Sequence, residues 1–235
     1  MTYMKVLLAM VAAALVLGGC GQLPKIDDTQ SMKMEQTINL LQPEDNGVTL
    51  MAALKGRRSV REFAAEPLSL SQVSGALWAA YGINREDGKR TAPSALALYP
   101  LTIYAFFAEG VYAYNPADNT LNRVAEGDHR AISGMQDWVA TAPMNLVYVA
   151  DLSVYSQMPP YLEDVKRLLA AQDAACCVEN ANLWAAANNM GAVTRGSFKE
   201  PEILSLLGLD AERYTVVMAQ SLGNLVNDGK ETSQN

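Results

Sequence analysis

The chain has 235 residues, of which 50% are hydrophobic and 18% are charged, so it can bury one sizeable core and is not wholly disordered. Its formal net charge of −7 disfavours a general nucleic-acid-binding protein, because neutralising a phosphate backbone requires a basic face. The sole histidine, His129, disfavours a multi-histidine metal site or a histidine-based triad, and we expect no metal.

The first 19 residues have the pattern of an export signal. Lys5 supplies a positive charge, residues 6–17 form an apolar run too short to span a bilayer comfortably, and Leu-Gly-Gly-Cys ends the segment at Cys20. That ending resembles a bacterial lipobox, which implies cleavage before Cys20 and a lipid on its sulfur. The alternative is an ordinary secretory signal followed by a coincidental cysteine. We expect a signal peptide at 1–19 and a lipid-anchored domain in the bacterial cell envelope, outside the cytoplasm.

The next elements are a tether and two helices. Residues 20–45 are mostly polar, as expected of a tether, although residues 32–41 are compatible with a short amphipathic helix. Apolar residues at helical spacing predict a helix over 48–54. A second helix should run to Ala80, because Ser69 and Gln72 form a capping-box pattern at its start and Gly82 follows its end.

Strands are predicted in the middle of the chain. Residues 101–108, 111–114 and 121–124 are rich in β-branched and aromatic residues and are separated by turn residues, which predicts an antiparallel meander with a solvated edge. Residues 145–150 are more uniformly apolar and should form a more central strand.

The longest predicted helix covers residues 162–190. Its apolar residues occupy more than one stripe, so we expect it to be buried on several sides, in the core or against a second subunit. Cys176 and Cys177 within it are interpreted as small buried apolar residues. Gly191 is predicted to cap this helix, with residues 192–198 crossing to the next element. A helix over 200–207 closed by Gly208, a strand over 214–219 and a polar tail at 227–235 complete an α+β pattern, a mostly antiparallel sheet flanked by helices.

A cluster of positive charge follows the helix at 48–54. Arg57, Arg58 and Arg61 flank Ser59, and forked guanidinium donors beside a hydroxyl suit a phosphomonoester. The alternative is a solvated basic helix end whose charges complement the helix dipole. In an acidic chain this local exception favours a small anionic ligand over a polymer.

Four motifs in order are similar to those of the nitroreductase family of FMN enzymes, from about residue 46 to residue 223. They are RRSVREF at 57–63, RTAPSA at 90–95, GAVTRGSF at 191–198 and QSLG at 220–223. The resemblance implies a nitroreductase-like fold over 46–226, an FMN-dependent oxidoreductase with a small organic substrate, and a homodimer with each flavin at the subunit interface.

The resemblance also implies the roles of particular residues. Arg57, Ser59 and Arg61, together with Arg58, would bind the FMN phosphate and ribityl chain. The segment Pro93, Ser94 and Ala95 would line the flavin ring from the neighbouring subunit. Backbone N–H groups of Gly196 and Ser197 would face flavin N5 and O4. No catalytic acid or base is predicted, because the hydride chemistry belongs to the flavin.

The chain departs from the family pattern in the residues after Ser94. Many members carry Asn and Gln where this chain has Ala97 and Tyr99, and the pattern here is more similar to the branch that includes azoline oxidases. No motif specifies the electron donor, which is left open. Nicotinamides are scarce outside the cytoplasm, and a membrane quinol or another exported redox protein is one conceivable source. The alternative function is a non-catalytic surface lipoprotein that binds flavin or a partner on the same fold.

Overall fold

The computed structural model describes residues 32–226, so the signal segment 1–19, Cys20 and the tail at 227–235 lie outside the described residues. The described chain is an α+β structure, as predicted, in which helices flank one antiparallel sheet. Its α-helices are α1 (Leu50–Gly56), α2 (Leu70–Tyr81), α3 (Glu163–Ala187) and α4 (Glu200–Leu207).

One seven-stranded sheet organises the described residues. The strands are β1 (Thr37–Asn39), β2 (Leu101–Phe106), β3 (Gly110–Asn115), β4 (Thr120–Glu126), β5 (Met144–Asp151), β6 (Met190–Arg195) and β7 (Tyr214–Asn224). They lie in the order β1-β4-β3-β2-β5-β7-β6. The sheet's pairings are all antiparallel, which confirms the predicted meander and places the apolar strand β5 near the centre. The outer strand of the meander, β4, was expected to be a solvated edge but is paired with β1.

The sheet carries a core on each face. Helices α2 and α3 cover one face, where alternate residues of β2 and β5 such as Ile103 and Tyr148 are buried. Helix α4 covers the other face against Phe106, Val147 and Val216. This division follows from the two-residue period of strands, which sends neighbouring side chains to opposite faces.

Helix α3 is the longest helix, as the sequence predicts, but within the described chain it is buried on one face only, and Leu168 and Cys176 on the opposite face are exposed. Its inward positions are small, which lets its backbone approach α2 and the sheet closely. Those positions include Ala170, Ala174, Cys177, Ala181 and Ala185.

The predicted helix boundaries are confirmed where capping chemistry defines them. Ser69 Oγ accepts a hydrogen bond from the Gln72 amide, and the Ser69 amide donates to the Gln72 side chain, which is the predicted capping box at the start of α2. Gly208 follows α4 with φ at +65°, the left-handed conformation in which glycine is least strained.

The predicted helix over 32–41 is wrong. Residues 37–39 form β1, which pairs with β4, and Ile38 and Leu40 are buried while Thr37 and Asn39 are exposed. This alternation has the period of a strand, and the pairing with β4 outweighs the local tendency to form a helix. Part of the segment assigned to the tether therefore packs on the domain.

Two predictions about the end of α3 are also wrong. The helix ends at Ala187, its cap is Asn188 and not Gly191, and residues 190–195 form strand β6 where a simple crossing was expected. Asn189 takes the left-handed turn at φ +54°, which reverses the chain into the sheet edge. Of the two neighbouring cysteines, Cys177 is buried as predicted but Cys176 is exposed, because adjacent helical residues point in different directions.

Candidate cofactor site

The loop at residues 57–61, which we call the arginine loop, is fixed to the edge strand β6. Ser59 forms a parallel bridge with Ala192, and the Val60 amide donates to the Ala192 carbonyl at 2.9 Å. Just beyond the loop, the Ala64 amide donates to the Asn224 carbonyl at 2.9 Å. Backbone hydrogen bonds thus join the first motif to the third, and the β6–β7 pairing joins the third to the fourth. The first motif lies more than a hundred residues from the other two in the sequence.

The same loop and the residues just after it pack closely against two glycines. A Cβ at Gly191 would lie 2.7 Å from Val60 Cγ1, and a Cβ at Gly223 would lie 2.7 Å from Phe63 Cδ1. Neither distance is sterically acceptable, so glycine is needed at both positions. Two motif glycines therefore have a structural role, which is to let the arginine loop lie flat on the sheet.

The side chains of the arginine loop remain accessible. Arg57, Arg58, Ser59 and Arg61 are all exposed. Arg57 makes a long ion pair with Glu179 of α3, with Nε 3.9 Å from Oε1 and both side chains substantially solvated. A cleft of about 130 Å³ lies beside Arg58 and is lined also by Asn182 and Met190. The loop therefore presents forked donors to solvent next to a small cleft.

The segment at Pro93, Ser94 and Ala95 is held by a buried carboxylate that sequence reasoning missed. Ser94 Oγ donates to Asp173 Oδ2 at 2.6 Å, and the Ala95 amide donates to Asp173 Oδ1 at 2.9 Å. Asp173 lies in α3 and is 5% exposed. The available signal was a charged residue among the inward alanines of a helix, because such a group is rarely buried without a partner.

The residues after Ser94 form a tight turn with an unusual backbone. Leu96, Ala97 and Tyr99 have φ of +56°, +54° and +48°, which are left-handed values at non-glycine residues. The Tyr99 amide donates to Ser94 Oγ at 2.8 Å and closes the turn. Leu96 is 74% exposed at its tip. We refer to residues 94–99 as the strained turn.

The Gly196 and Ser197 segment directly follows β6. A Cβ at Gly196 would meet nothing within 4 Å, so the space beside its backbone is open. Ser197 Oγ accepts a hydrogen bond from Gln136 Nε2 at 3.0 Å. The structure therefore leaves room for a flat group to approach this turn.

The similarity of this chain to known proteins agrees with this geometry. The model of the nitroreductase family matches residues 54–224. This chain belongs to the nitroreductase family. A nitroreductase-family protein of Methanocaldococcus jannaschii is 32% identical over 184 residues, which cover 74% of this chain and 91% of that protein.

Solved structures of nitroreductase-family proteins have the same fold. One from Ralstonia eutropha JMP134 superposes with a TM-score of 0.75 and 35% identity, covering 83% of this chain and 93% of that one. Another, from Desulfovibrio desulfuricans in complex with FMN, has a TM-score of 0.52 and 22% identity, covering 82% of this chain and 93% of that chain. At that identity the second similarity supports the fold alone.

Within this nitroreductase-family chain, the predicted site residues form two groups along α3. The arginine loop reaches the helix at Glu179, and the strained turn reaches it at Asp173. Six helical residues correspond to about 9 Å along the helix axis. The arginine loop and the segment at 196–197 share β6, whereas no hydrogen bond or ion pair of the described residues joins the strained turn to the arginine loop.

A second buried charge lies next to the Gly196 turn. Arg195 is 5% exposed, donates through one Nη to the Ser133 carbonyl and through the other to Asn145 Oδ1 at 3.1 Å, and makes no ion pair within residues 32–226. Burial lowers the pKa of Arg195 to about 10, which still leaves it protonated at neutral pH. The sequence motif contains this arginine, but only the fold shows that its charge is buried.

Two kinds of feature are absent from residues 32–226, a cluster of metal-ligating side chains and a helix that could cross a bilayer. Residues 32–226 contain no group of three or more His, Cys, Asp or Glu side chains placed to hold a metal ion. None of the helices in that range is both long enough and apolar enough to cross a bilayer.

Proposed function

We propose that this nitroreductase-family chain is an FMN-dependent oxidoreductase, lipid-anchored at Cys20 in the bacterial cell envelope. It would transfer hydride or electrons to or from a small organic substrate. The proposal depends chiefly on one observation: the arginine loop is held on β6 by its backbone, while its guanidinium groups and the Ser59 hydroxyl stay exposed.

The arginine loop has the donors that a phosphate requires. Three guanidinium groups and one hydroxyl lie within five residues, in a chain whose net charge is −7. Charge-assisted hydrogen bonds from such groups to phosphate oxygens are roughly twice as strong as neutral ones. Arg57, Arg58, Ser59 and Arg61 would hold the phosphate and ribityl chain of FMN.

The flavin ring would lie outside the small cleft. A cleft of about 130 Å³ is smaller than the roughly 300 Å³ at which ligand pockets usually begin. The open space at Gly196 fits a ring whose N5 and O4 accept hydrogen bonds from the backbone N–H groups of Gly196 and Ser197. These fixed donors would stabilise negative charge at the ring.

A second copy of the chain would complete the ring site. Among the described residues, no hydrogen bond or ion pair joins the segment at Pro93–Ala95 to the arginine loop of its own chain. This fits the family arrangement, in which the segment serves the partner's ring. Large apolar side chains on α1 and α3 are also exposed in the single chain, as expected of a dimer surface. They include Leu50, Met51, Leu54, Val165 and Leu168.

When bound, FMN supplies the hydride chemistry. The chain's own residues would bind the phosphate, orient the ring through Gly196 and Ser197, and keep a buried positive charge at Arg195 behind that turn. Ala97 and Tyr99, which replace the amide side chains of many family members, support a substrate other than a nitroarene. The azoline-oxidase-like assignment therefore stays part of this proposal.

Flavin titration tests the phosphate assignment. The full chain, purified in detergent, should quench FMN fluorescence, and Arg57→Ala or Arg61→Ala should raise the dissociation constant at least about tenfold, since a hydrogen bond to a charged group contributes about 1.5–3 kcal/mol. Arg213→Ala is the matched control, because Arg213 also makes a surface ion pair but lies next to the opposite end of β7. Lack of any FMN binding by the unaltered chain would refute the proposed function.

Turnover separates an enzyme from a non-catalytic flavin-binding lipoprotein. The flavin absorbance should bleach anaerobically with one of three donor classes, namely reduced nicotinamides, quinols or a reduced exported redox protein, and should return when an acceptor is added. A flavin that none of them reduces would favour the binding protein.

Mass spectrometry tests the anchor. The N-terminal peptide should carry acyl chains on Cys20, and Cys20→Ser should release the protein from the membrane fraction. An unmodified Cys20 in a mature chain would contradict the lipid anchor and support the alternative, an ordinary secretory signal.

A further inference from the structure

We infer that Asp173 is a positioning residue that holds the strained turn in the shape required to cover the flavin ring and one side of the substrate. This inference rests on the proposed function, in which Pro93–Ala95 lines the ring. It adds a residue that none of the four motifs contains, and it assigns a role to a buried charge that the proposed flavin contacts do not use.

The contacts of Asp173 are directed at the turn. Both carboxylate oxygens accept hydrogen bonds from it, one from the Ser94 hydroxyl at 2.6 Å and one from the Ala95 amide at 2.9 Å. Asp173 makes no ion pair with any residue of the described chain, and its neighbours Ala170, Ala174 and Cys177 are small and buried. An alanine would suit that helix face better, because a buried carboxylate is costly to desolvate. The hydrogen bonds from the turn therefore explain why an aspartate stands at position 173.

The far end of the turn is fixed as well. The Tyr99 amide donates to the same Ser94 hydroxyl at 2.8 Å, so one hydroxyl links Asp173 to both ends of the turn. The guanidinium of Arg90 lies 3.9 Å from the ring centre of Tyr81 and 5.1 Å from that of Tyr99. Both the ring and the backbone amide of Tyr99 are thus held in place.

We call the contacts that Asp173, Ser94 and Arg90 make with the turn the clamp. The clamp maintains a backbone conformation that the tip of the turn does not favour by itself. Leu96, Ala97 and Tyr99 are left-handed without being glycine, and such residues persist only where surrounding contacts impose them. The tip that results is apolar, because Leu96 is 74% and Leu98 36% exposed. A rigid apolar wall beside a flavin ring suits an apolar ring-shaped substrate, and a loosened turn would lose that wall without moving the phosphate site.

Hydrogen exchange in the flavin-free full chain tests the clamp directly. Asp173→Asn keeps the side-chain volume but replaces one acceptor oxygen with an amide, so the amides of Ala95 and Tyr99 should exchange at least about tenfold faster. Ser94→Ala should do the same, and Ser94→Thr should restore slow exchange at Tyr99. The matched control is Asp151→Asn, since Asp151 also accepts from a serine hydroxyl and a backbone amide, both of Ser153, at 2.6 and 2.9 Å.

Reoxidation kinetics test the wall. The FMN-loaded protein is reduced with dithionite and mixed either with menadione, which takes two electrons and two protons to become its hydroquinone, or with ferricyanide, which takes one electron per ion and needs no shaped pocket. In Asp173→Asn the menadione concentration for half-maximal rate should rise about tenfold or more, while the ferricyanide rate stays unchanged. Asp151→Asn should match the unaltered chain with both acceptors.

Two results would overturn the inference. Unchanged exchange at Ala95 and Tyr99 in Asp173→Asn would show that the carboxylate does not hold the turn. Faster exchange with unchanged menadione kinetics would show a structural role only. If the unaltered chain binds no FMN, the proposed function fails and the wall fails with it, whereas the exchange experiment still decides whether Asp173 holds the turn.

Discussion

The arginine loop and the strained turn are both predicted to contact one cofactor, yet they are fixed in opposite ways. The loop is attached through its backbone to Ala192 of β6, and its charged side chains extend into solvent. The turn is attached through the Ser94 side chain to a buried carboxylate, Asp173, and its backbone is strained. The arginine loop leaves its binding groups exposed to solvent, whereas the strained turn uses its polar groups to maintain its backbone conformation.

This difference predicts which property each substitution changes. Removing an exposed guanidinium should weaken anion binding and leave the folded state nearly as stable, because exposed ion pairs contribute little. Removing a group that seats the loop or lies beneath the turn should change stability, because close packing and buried polar groups determine it. Each left-handed non-glycine residue in the turn costs about 1–2 kcal/mol, which the contacts around it must offset.

The largest expected effect is at the glycine that seats the arginine loop. Gly223→Ala would place a Cβ 2.7 Å from Phe63 Cδ1 and 2.8 Å from Phe63 Cβ, so the chain at Phe63, two residues after the arginine loop, has to move. We expect a loss of about 1–3 kcal/mol in the free energy of unfolding, as for other overpacked sites, measured by urea denaturation.

Gly56→Ala is the control for that experiment, because a Cβ at Gly56 meets nothing within 4 Å at the end of α1. It should leave stability unchanged or raise it by up to about 1 kcal/mol through helix propensity. Equal stability of Gly223→Ala and Gly56→Ala would contradict the idea that close packing seats the loop.

The sequence predicted most of the fold because its signals are local. The capping box at Ser69, the glycine after α4 at Gly208 and the apolar strand β5 depend on neighbouring residues, and each was placed correctly. Strand β1 and strand β6 were missed because each depends on pairing with a strand distant in sequence, β4 for the first and β7 for the second. Local propensity carries little information about such pairing.

The same distinction between local signals and distant contacts separates the site residues that were predicted from those that were missed. Arginines near a serine are visible as a motif, so the arginine loop was predicted from sequence. Asp173 was missed because its role depends on a hydrogen bond across 79 residues to Ser94. The exposure of Cys176 and the burial of Arg195 also depend on which faces of α3 and β6 are covered, and periodicity alone does not settle this at adjacent residues.

Two buried tyrosine hydroxyls give the next largest effect. Tyr148 Oη donates to Gln220 Oε1 at 3.0 Å, whereas Tyr155 Oη is buried without a hydrogen-bond partner among the described residues. Tyr148→Phe should destabilise the protein by about 1 kcal/mol or more, because Gln220 loses a partner, while Tyr155→Phe should be neutral or stabilising. Thermal or urea unfolding of the two variants compares them directly, and an equal loss in both would show that Tyr155 is hydrogen-bonded in solution.

A smaller effect is expected when the arginine loop loses a charge. Arg57→Ala removes only an ion pair with Nε 3.9 Å from Glu179 Oε1, so the free energy of unfolding of the flavin-free chain should fall by less than about 0.5 kcal/mol. Urea denaturation at low and high salt measures it. A loss as large as that of Gly223→Ala would mean that the guanidinium helps to hold the loop, and the contrast between the two regions would fail.

The smallest effect concerns Asp151, a surface counterpart of the buried Asp173. The Arg213 guanidinium hydrogen-bonded to Asp151 lowers the pKa of that carboxyl to about 2, with smaller contributions from Ser153. A lowered folded-state pKa stabilises the fold above the unfolded pKa of about 3.9, and this contribution is lost as the pH falls through about 2. Asp151→Asn should therefore flatten the acid limb of stability between about pH 4 and pH 2, measured by urea denaturation across that range. This contribution is present in full at neutral pH, and because Asp151 is partly solvated we expect solvent screening to keep it small. The loss at neutral pH in Asp151→Asn should therefore be small and equal to the part that disappears from the acid limb. A large loss would show that a carboxylate with these hydrogen-bond partners stabilises the chain without burial, and burial would no longer distinguish Asp173.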